Sequence, residues 1–86
     1  NAKTRPRAVP KGPNHSKRPV KHSLTLRGHR TSVSLEYEFW QAFRDIAAAR
    51  DTAINALAAE IDAARGPDIG LASAIRVFVL NHYRGQ

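Results

Sequence analysis

Residues 28–64 decide the fold, and they read GHRTSVSLEYEFWQAFRDIAAARDTAINALAAEIDAA. At the start of this stretch polar and apolar residues alternate, and the residues expected to face inward are Thr31, Val33 and Leu35. An alternation with a period of two predicts a half-buried β-strand. From Glu36 onward the period becomes helical, and the expected inner stripe is Phe39, Phe43 and Ile46. The stretch therefore begins with a strand that is followed by helix.

Two further helices are predicted downstream. Asp51 and Thr52 interrupt the first helix and offer a side-chain oxygen to cap a second, which runs from about Ala53 to Arg65. Gly66-Pro67 ends the second helix. A third helix, from about Leu71 to Tyr83, is apolar nearly all round.

Upstream of residue 28, Leu24 and Leu26 also alternate with polar residues. The sequence leaves two interpretations open for this region. Ser23–Arg27 forms an additional strand that turns at Arg27-Gly28, or one long strand carries a bulge at Gly28. An additional strand raises the concern that it covers the other strand.

The positive charge is concentrated at the N-terminal end. Of the 14 Lys and Arg residues, nine lie in residues 1–30, which contain no Asp or Glu. Residues 1–22 also hold four of the five prolines and few large aliphatic residues. Such a segment cannot bury enough apolar surface to offset its ordering entropy. We therefore predict a disordered basic arm over 1–22, a folded domain over 23–86 and a polyanionic partner.

Several function classes are not expected. With no cysteine there is no disulfide framework or thiolate metal site. His15, His22 and His29 recur every seven residues, but no helical pattern or nearby carboxylate supports a metal site. There is no cysteine nucleophile, no glycine-rich phosphate loop and no carboxylate pair convincingly placed in a pocket, so neither enzyme activity nor a cofactor is expected. No apolar run reaches membrane-span length and no signal segment is evident, which favours a soluble intracellular protein.

The third helix predicts self-association. A helix that is apolar on every side needs protein on every side, and the residues concerned are Val77, Phe78, Val79 and Leu80. A single strand cannot form a sheet, and a small core is marginal alone. An obligate homodimer that pairs strands antiparallel meets both requirements.

Residues 28–64, together with GLASAIRVFVLNHYR at 70–84, resemble the ribbon-helix-helix family, in the subgroup with an additional C-terminal helix. The resemblance implies a mainly α fold with a short β-ribbon (β-α-α plus a third helix) in an intertwined homodimer. It also implies sequence-specific binding of double-stranded DNA by the ribbon in the major groove, as a transcriptional regulator. The expected location is the bacterial cytoplasm, in association with the nucleoid.

The resemblance also assigns site residues. The outward side chains of the strand are expected to read bases, namely Arg30, Ser32 and Ser34. The N-terminus of the second helix is expected to bind a phosphate through Thr52, Ala53 and Ile54. Here Asp51 stands where the family commonly has glycine. Further phosphate contacts are expected from cations in and beside the arm, namely Lys17, Arg18, Lys21 and Arg27.

Two alternatives remain open. The first alternative is a protein that binds another protein, as an antitoxin does. The arm, however, has few of the apolar anchors that coupled folding needs. Otherwise the arm alone drives sequence-neutral binding to nucleic acid or to an acidic membrane surface.

Overall fold

The computed structural model describes residues 18–85, which form a β-hairpin followed by three helices. The elements are β1 (Val20–Leu26), β2 (His29–Leu35), α1 (Tyr37–Ala49), α2 (Ile54–Ala64) and α3 (Leu71–Tyr83). The mainly α fold with a short β-ribbon is confirmed. None of the helices in this part of the chain is long and apolar enough to cross a membrane.

The hairpin resolves the alternative that the sequence left open. β1 and β2 pair antiparallel, and Leu26 lies opposite His29 across a two-residue turn. Both turn residues have positive φ, 52° at Arg27 and 84° at Gly28, as a type I′ turn requires. Gly28 adopts this backbone without steric cost, whereas Arg27 is a non-glycine residue in the left-handed region. Residues 20–35 therefore form two strands, and no bulge interrupts their pairing.

The prediction that a single strand must pair with a second chain is wrong for β2, because β2 pairs with β1 over its whole length. β1 also begins at Val20, three residues before Ser23. The sheet therefore does not by itself require a second copy.

All three helices pack on one face of the hairpin. The strand residues that form this inner layer are Leu24, Leu26, Val33 and Leu35, each at most 8% exposed. The largest fully buried side chains of the helices are Phe43, Ile46, Leu57 and Ile75. Thr31 lies in the same row as Val33 and Leu35, but its side chain is exposed near the turn. One side of the sheet is thus core, as the alternation predicts.

The start of α2 differs from the prediction. Its N-cap is Ala53, and no side chain caps it. The hydroxyl of Thr52 instead donates to the carbonyl of Arg50 at 3.1 Å. Asp51 takes the left-handed conformation, with φ 55°, and ends α1 without a glycine. The expected side-chain cap from Asp51 or Thr52 is therefore wrong, because Thr52 turns back toward the end of α1.

Arg76 fixes α3 to the junction of β2 and α1. Its Nε and Nη2 donate to the two carboxylate oxygens of Glu36, at 2.9 and 3.2 Å. These hydrogen bonds, with the positive charge behind them, lower the pKa of Glu36. The guanidinium also lies 5.9 Å from the ring centroid of Phe39. Two hydrogen bonds from one planar group orient α3 more strictly than a single contact.

Within residues 18–85, α3 is covered on one side only. Ile75 and Val79 are buried, while Val77 and Leu80 are 53% and 50% exposed. Part of the apolar surface that was expected to be enclosed by protein therefore faces outward in the single chain.

Candidate nucleic-acid interface

The side of the hairpin opposite the helices is a polar surface, which we call the outer face. Its residues are Lys21, Ser23, Thr25, Arg30, Ser32 and Ser34, all exposed. The register places them in pairs across the two strands: Lys21 with Ser34, Ser23 with Ser32, and Thr25 with Arg30. No described element of residues 18–85 packs on this face. It consists of short hydroxylated side chains with a cation toward each end.

The two edges of the hairpin differ. The N–H of Thr25 donates to Oδ1 of Asn55 at 3.1 Å, so it points away from β2. Because hydrogen-bonded and non-hydrogen-bonded pairs alternate in an antiparallel ladder, the outer-face pairs are the non-hydrogen-bonded ones. The backbone groups of Arg30, Ser32 and Ser34 therefore point away from β1, toward what we call the open edge of β2.

Each edge of the hairpin has one backbone group that is hydrogen-bonded to a helix. At the β1 edge, Asn55 of α2 accepts the hydrogen bond from the Thr25 N–H. At the open edge, the Ser34 carbonyl accepts a 3.4 Å hydrogen bond from Nη2 of Arg76 in α3. Among the described residues, no hydrogen bond is found for the edge groups of Arg30 or Ser32. An edge with unpaired backbone groups is a template for another strand.

The structure brings the sequence-predicted residues Arg30, Ser32 and Ser34 into one row on the outer face. The neighbouring β1 residues Ser23 and Thr25 lie on the same face but are not among the residues predicted from the sequence. The signal was available, since they alternate with Leu24 and Leu26, but the side on which they lie depends on the hairpin register. The additional strand lies beside β2 and leaves its outer side uncovered, so the concern that it covers β2 does not hold for this chain.

The N-terminus of α2 lies next to the β1 edge, because Asn55 belongs to its first turn. The first backbone bond of this helix runs from Leu57 N to Ala53 O, so the preceding N–H groups have no partner within the helix. The N–H of Thr52 already donates to the Ala47 carbonyl at 2.9 Å. Of the predicted phosphate residues, Ala53 and Ile54 therefore retain available donors, whereas the Thr52 N–H does not.

The predicted phosphate-contacting cations are spread along the hairpin. Lys21 lies at the open end of β1, and Arg27 lies in the turn at the opposite end. Arg18 is exposed just before β1. Lys17 and the rest of the predicted arm up to that residue lie outside the described residues. Positive side chains therefore stand at both ends of the outer face.

On the inner face, His22 stacks on Trp40, with ring centroids 3.9 Å apart and planes 7° apart. Among the described residues, Nε2 of His22 is buried and has no hydrogen-bond partner. Burial, and to a lesser extent the positive charge of Arg44, lowers the pKa of His22 below 6.5. The environment of the ring, where β1 meets α1, therefore favours its neutral form.

This environment predicts acid sensitivity. Since the folded pKa of His22 is lower than the unfolded one, the unfolded chain binds the proton more readily. The free energy of unfolding should be highest above pH 6.5 and fall as the pH decreases through the folded pKa. Denaturant unfolding between about pH 5 and 8 measures this, in a range above the lowered pKa of Glu36.

His22→Phe is the matched variant, because it keeps a ring on Trp40 and removes the titration. In this variant the free energy of unfolding should depend less on pH, because the contribution of His22 is gone. An unchanged pH dependence would show that His22 does not cause it.

A family model described as a ribbon-helix-helix domain matches residues 19–83, which span both strands and all three helices. No curated protein and no solved structure matches the chain. Because the matched residues cover most of the chain and contain the hairpin and helices in order, the chain belongs to the ribbon-helix-helix domain family.

Proposed function

We propose that this protein binds double-stranded DNA sequence-specifically, inserts its β-ribbon into the major groove and acts as a transcriptional regulator. The ribbon-helix-helix family is, in general, a family of non-enzymatic DNA-binding regulators. The observation that carries the proposal for this chain is the outer face, where Arg30, Ser32 and Ser34 form one exposed row. Arginine can bond bidentately to guanine O6 and N7, and serine can donate to or accept from several bases. Short serines also allow the backbone to approach the base edges closely.

The proposal includes a homodimer. Proteins of the family generally form dimers, and two surfaces of this chain support one: the open edge of β2 and the exposed apolar residues Val77 and Leu80 of α3. Pairing of two β2 strands must keep both apolar faces on the same side. This requires outer-face residues opposite outer-face residues, for example Ser32 opposite Ser32 of a second copy. A shift of the β2–β2 register by one residue would place the apolar face of one chain on the opposite side of the sheet.

If the dimer forms in this way, the unfolding midpoint should rise with protein concentration, because dissociation accompanies unfolding. Leu80→Asp should weaken the dimer, since it places a charge on its apolar surface, and Ala63→Asp, on an exposed position of α2, is the matched control. Sedimentation of the wild type at low micromolar concentration checks the state directly. A compact, folded monomer there would contradict the dimer.

Phosphate contacts complete the proposed interface. We assign them to the Ala53 and Ile54 end of α2 and to Lys17, Arg18, Lys21 and Arg27. Cations that neutralise phosphates release counterions, so affinity should fall steeply with salt. Deleting residues 1–17 leaves β1 intact and should flatten this dependence without changing the preferred sequence.

Selection of bound duplexes from a random DNA pool tests the function. We expect enrichment of a short, two-fold symmetric site, because the two β2 strands, related by a two-fold axis, read two half-sites. Absence of any enriched sequence would contradict the proposal. If binding is also lost when residues 1–17 are deleted, the sequence-neutral alternative replaces it.

A further inference from the structure

We propose that the two strands of each hairpin divide the work on DNA. The outer-face residues of β1 (Lys21, Ser23 and Thr25) bind backbone phosphates on the walls of the groove, and base reading is confined to β2. This inference rests on the proposed function, and it assigns a DNA role to Ser23 and Thr25.

The order of strands in the dimer depends on which edge a second copy joins. One backbone group of each edge is taken by a helix side chain: the Thr25 N–H of β1 by Asn55 and the Ser34 carbonyl of β2 by Arg76. The N-terminus of α2 lies beside the β1 edge, whereas the Arg30 and Ser32 groups of β2 have no hydrogen bond among the described residues. We therefore place the second copy at β2. The resulting sheet has four strands, with the two β2 strands at its centre and the β1 strands outside them.

The major groove is too narrow to hold all four strands of this sheet. Neighbouring strands lie about 4.8 Å apart, so the β2 strands stand about 2.4 Å from the two-fold axis and the β1 strands about 7 Å from it. The major groove is about 12 Å wide and admits two strands. The β2 pair fits inside its half-width of about 6 Å, whereas the β1 strands reach the phosphates at the rims.

The outer-face side chains of β1 are of types that commonly bind phosphate. Lysine, serine and threonine are common donors to phosphate oxygens and carry little sequence information there. Because the outer-face pairs are the non-hydrogen-bonded ones, their Cα atoms lie only about 4.5 Å apart. The β1 row is thus immediately beside the base-reading row. The N-terminus of α2, which Asn55 joins to Thr25, lies on the same outer flank.

The triple variant Lys21→Gln, Ser23→Ala, Thr25→Val tests the division in the full chain. It should weaken binding to the selected duplex and to a scrambled duplex by the same factor. The slope of log affinity against log salt should decrease by about 2 per dimer, one for each lysine lost. The base preference in a repeated selection should stay unchanged. Ser32→Ala is the matched control on β2 and should alter that preference.

Two results would overturn the inference. A changed base preference in the triple variant would show that β1 reads bases, as when a single hairpin enters the groove as its own two-stranded ribbon. Unchanged affinity for both duplexes would place β1 away from the DNA. The unfolding midpoint of the variant checks its fold, since all three side chains are exposed. Failure of the proposed function is seen separately, as equal binding of the wild type to both duplexes.

Discussion

Replacing Phe43 with alanine should lower the free energy of unfolding by about 3–5 kcal/mol, the cost typical of removing a large buried aromatic side chain. Phe43 is fully buried in the middle of α1. Its ring centroid lies 6.1 Å from that of Trp40 and 6.4 Å from that of Phe78, the latter edge to face. It therefore connects the layer under the hairpin with α3, and truncation leaves a cavity where three elements meet.

The expected loss is large relative to the whole. The free energy of unfolding of a domain of this size is only about 3–10 kcal/mol. At the lower end of this range, the Phe43→Ala variant should be largely unfolded. Phe43→Leu keeps most of the volume and should cost about 1–2 kcal/mol. Denaturant unfolding of both variants at one protein concentration measures the difference. A decrease in the free energy of unfolding of less than about 1 kcal/mol for the alanine variant would mean that Phe43 is not a central residue of the core.

The alternation of Val33 and Leu35 with serines was sufficient to predict which side of β2 is core. The same rule did not locate the start of β1, because the inward position before Leu24 is occupied by His22. Stacking on Trp40 makes a histidine acceptable there, and that contact is invisible in the linear sequence. The turn was ambiguous because Arg27 takes a positive φ that arginine rarely adopts.

The ends of the helices show where local signals compete. Asp51 and Thr52 both fit the composition of an N-cap, but the left-handed turn at Asp51 brings the Thr52 N–H onto the Ala47 carbonyl. The Thr52 side chain is then committed to the end of α1, and Ala53 begins α2 without a side-chain cap. Which helix receives such a residue depends on the path between the helices, which propensity does not encode.

Arg30, Ser32 and Ser34 were predictable because β2 shows which side faces outward. Ser23 and Thr25 could be added only once the register was known, since the same residues in a bulged strand would have no fixed neighbours. The Asn55–Thr25 contact links residues 30 positions apart. Neither periodicity nor composition predicts such a contact, which joins the N-terminus of α2 to the β1 edge of the hairpin.

Arg30→Ala should have the second large effect, on binding and not on folding. Its side chain is exposed, and Arg30 is the cation in the outer-face row of β2. Each lost bidentate base contact costs about 1–3 kcal/mol, and a dimer carries two copies of the residue. Binding to unrelated DNA should fall much less, because one of several cations per chain is removed. The free energy of unfolding should change by less than about 0.5 kcal/mol.

Two variants separate charge from geometry. Arg30→Lys keeps the positive charge but loses the planar fork, so it should lose specificity while retaining most of its affinity for unrelated DNA. Arg27→Ala removes a cation from the turn and should weaken binding to both kinds of duplex equally. Retention of full specificity in Arg30→Lys would mean that the side chain acts only as a charge.

The most direct test is titration of the wild type and Arg30→Ala against the selected duplex and a scrambled duplex, at one fixed salt concentration. The ribbon account predicts a marked loss of affinity for the selected duplex, a small loss for the scrambled one, and therefore a collapse of the ratio between them. An equal loss for both duplexes would reduce Arg30 to a phosphate contact. No loss for either would place the hairpin away from DNA, contradict the account and favour the protein-binding alternative.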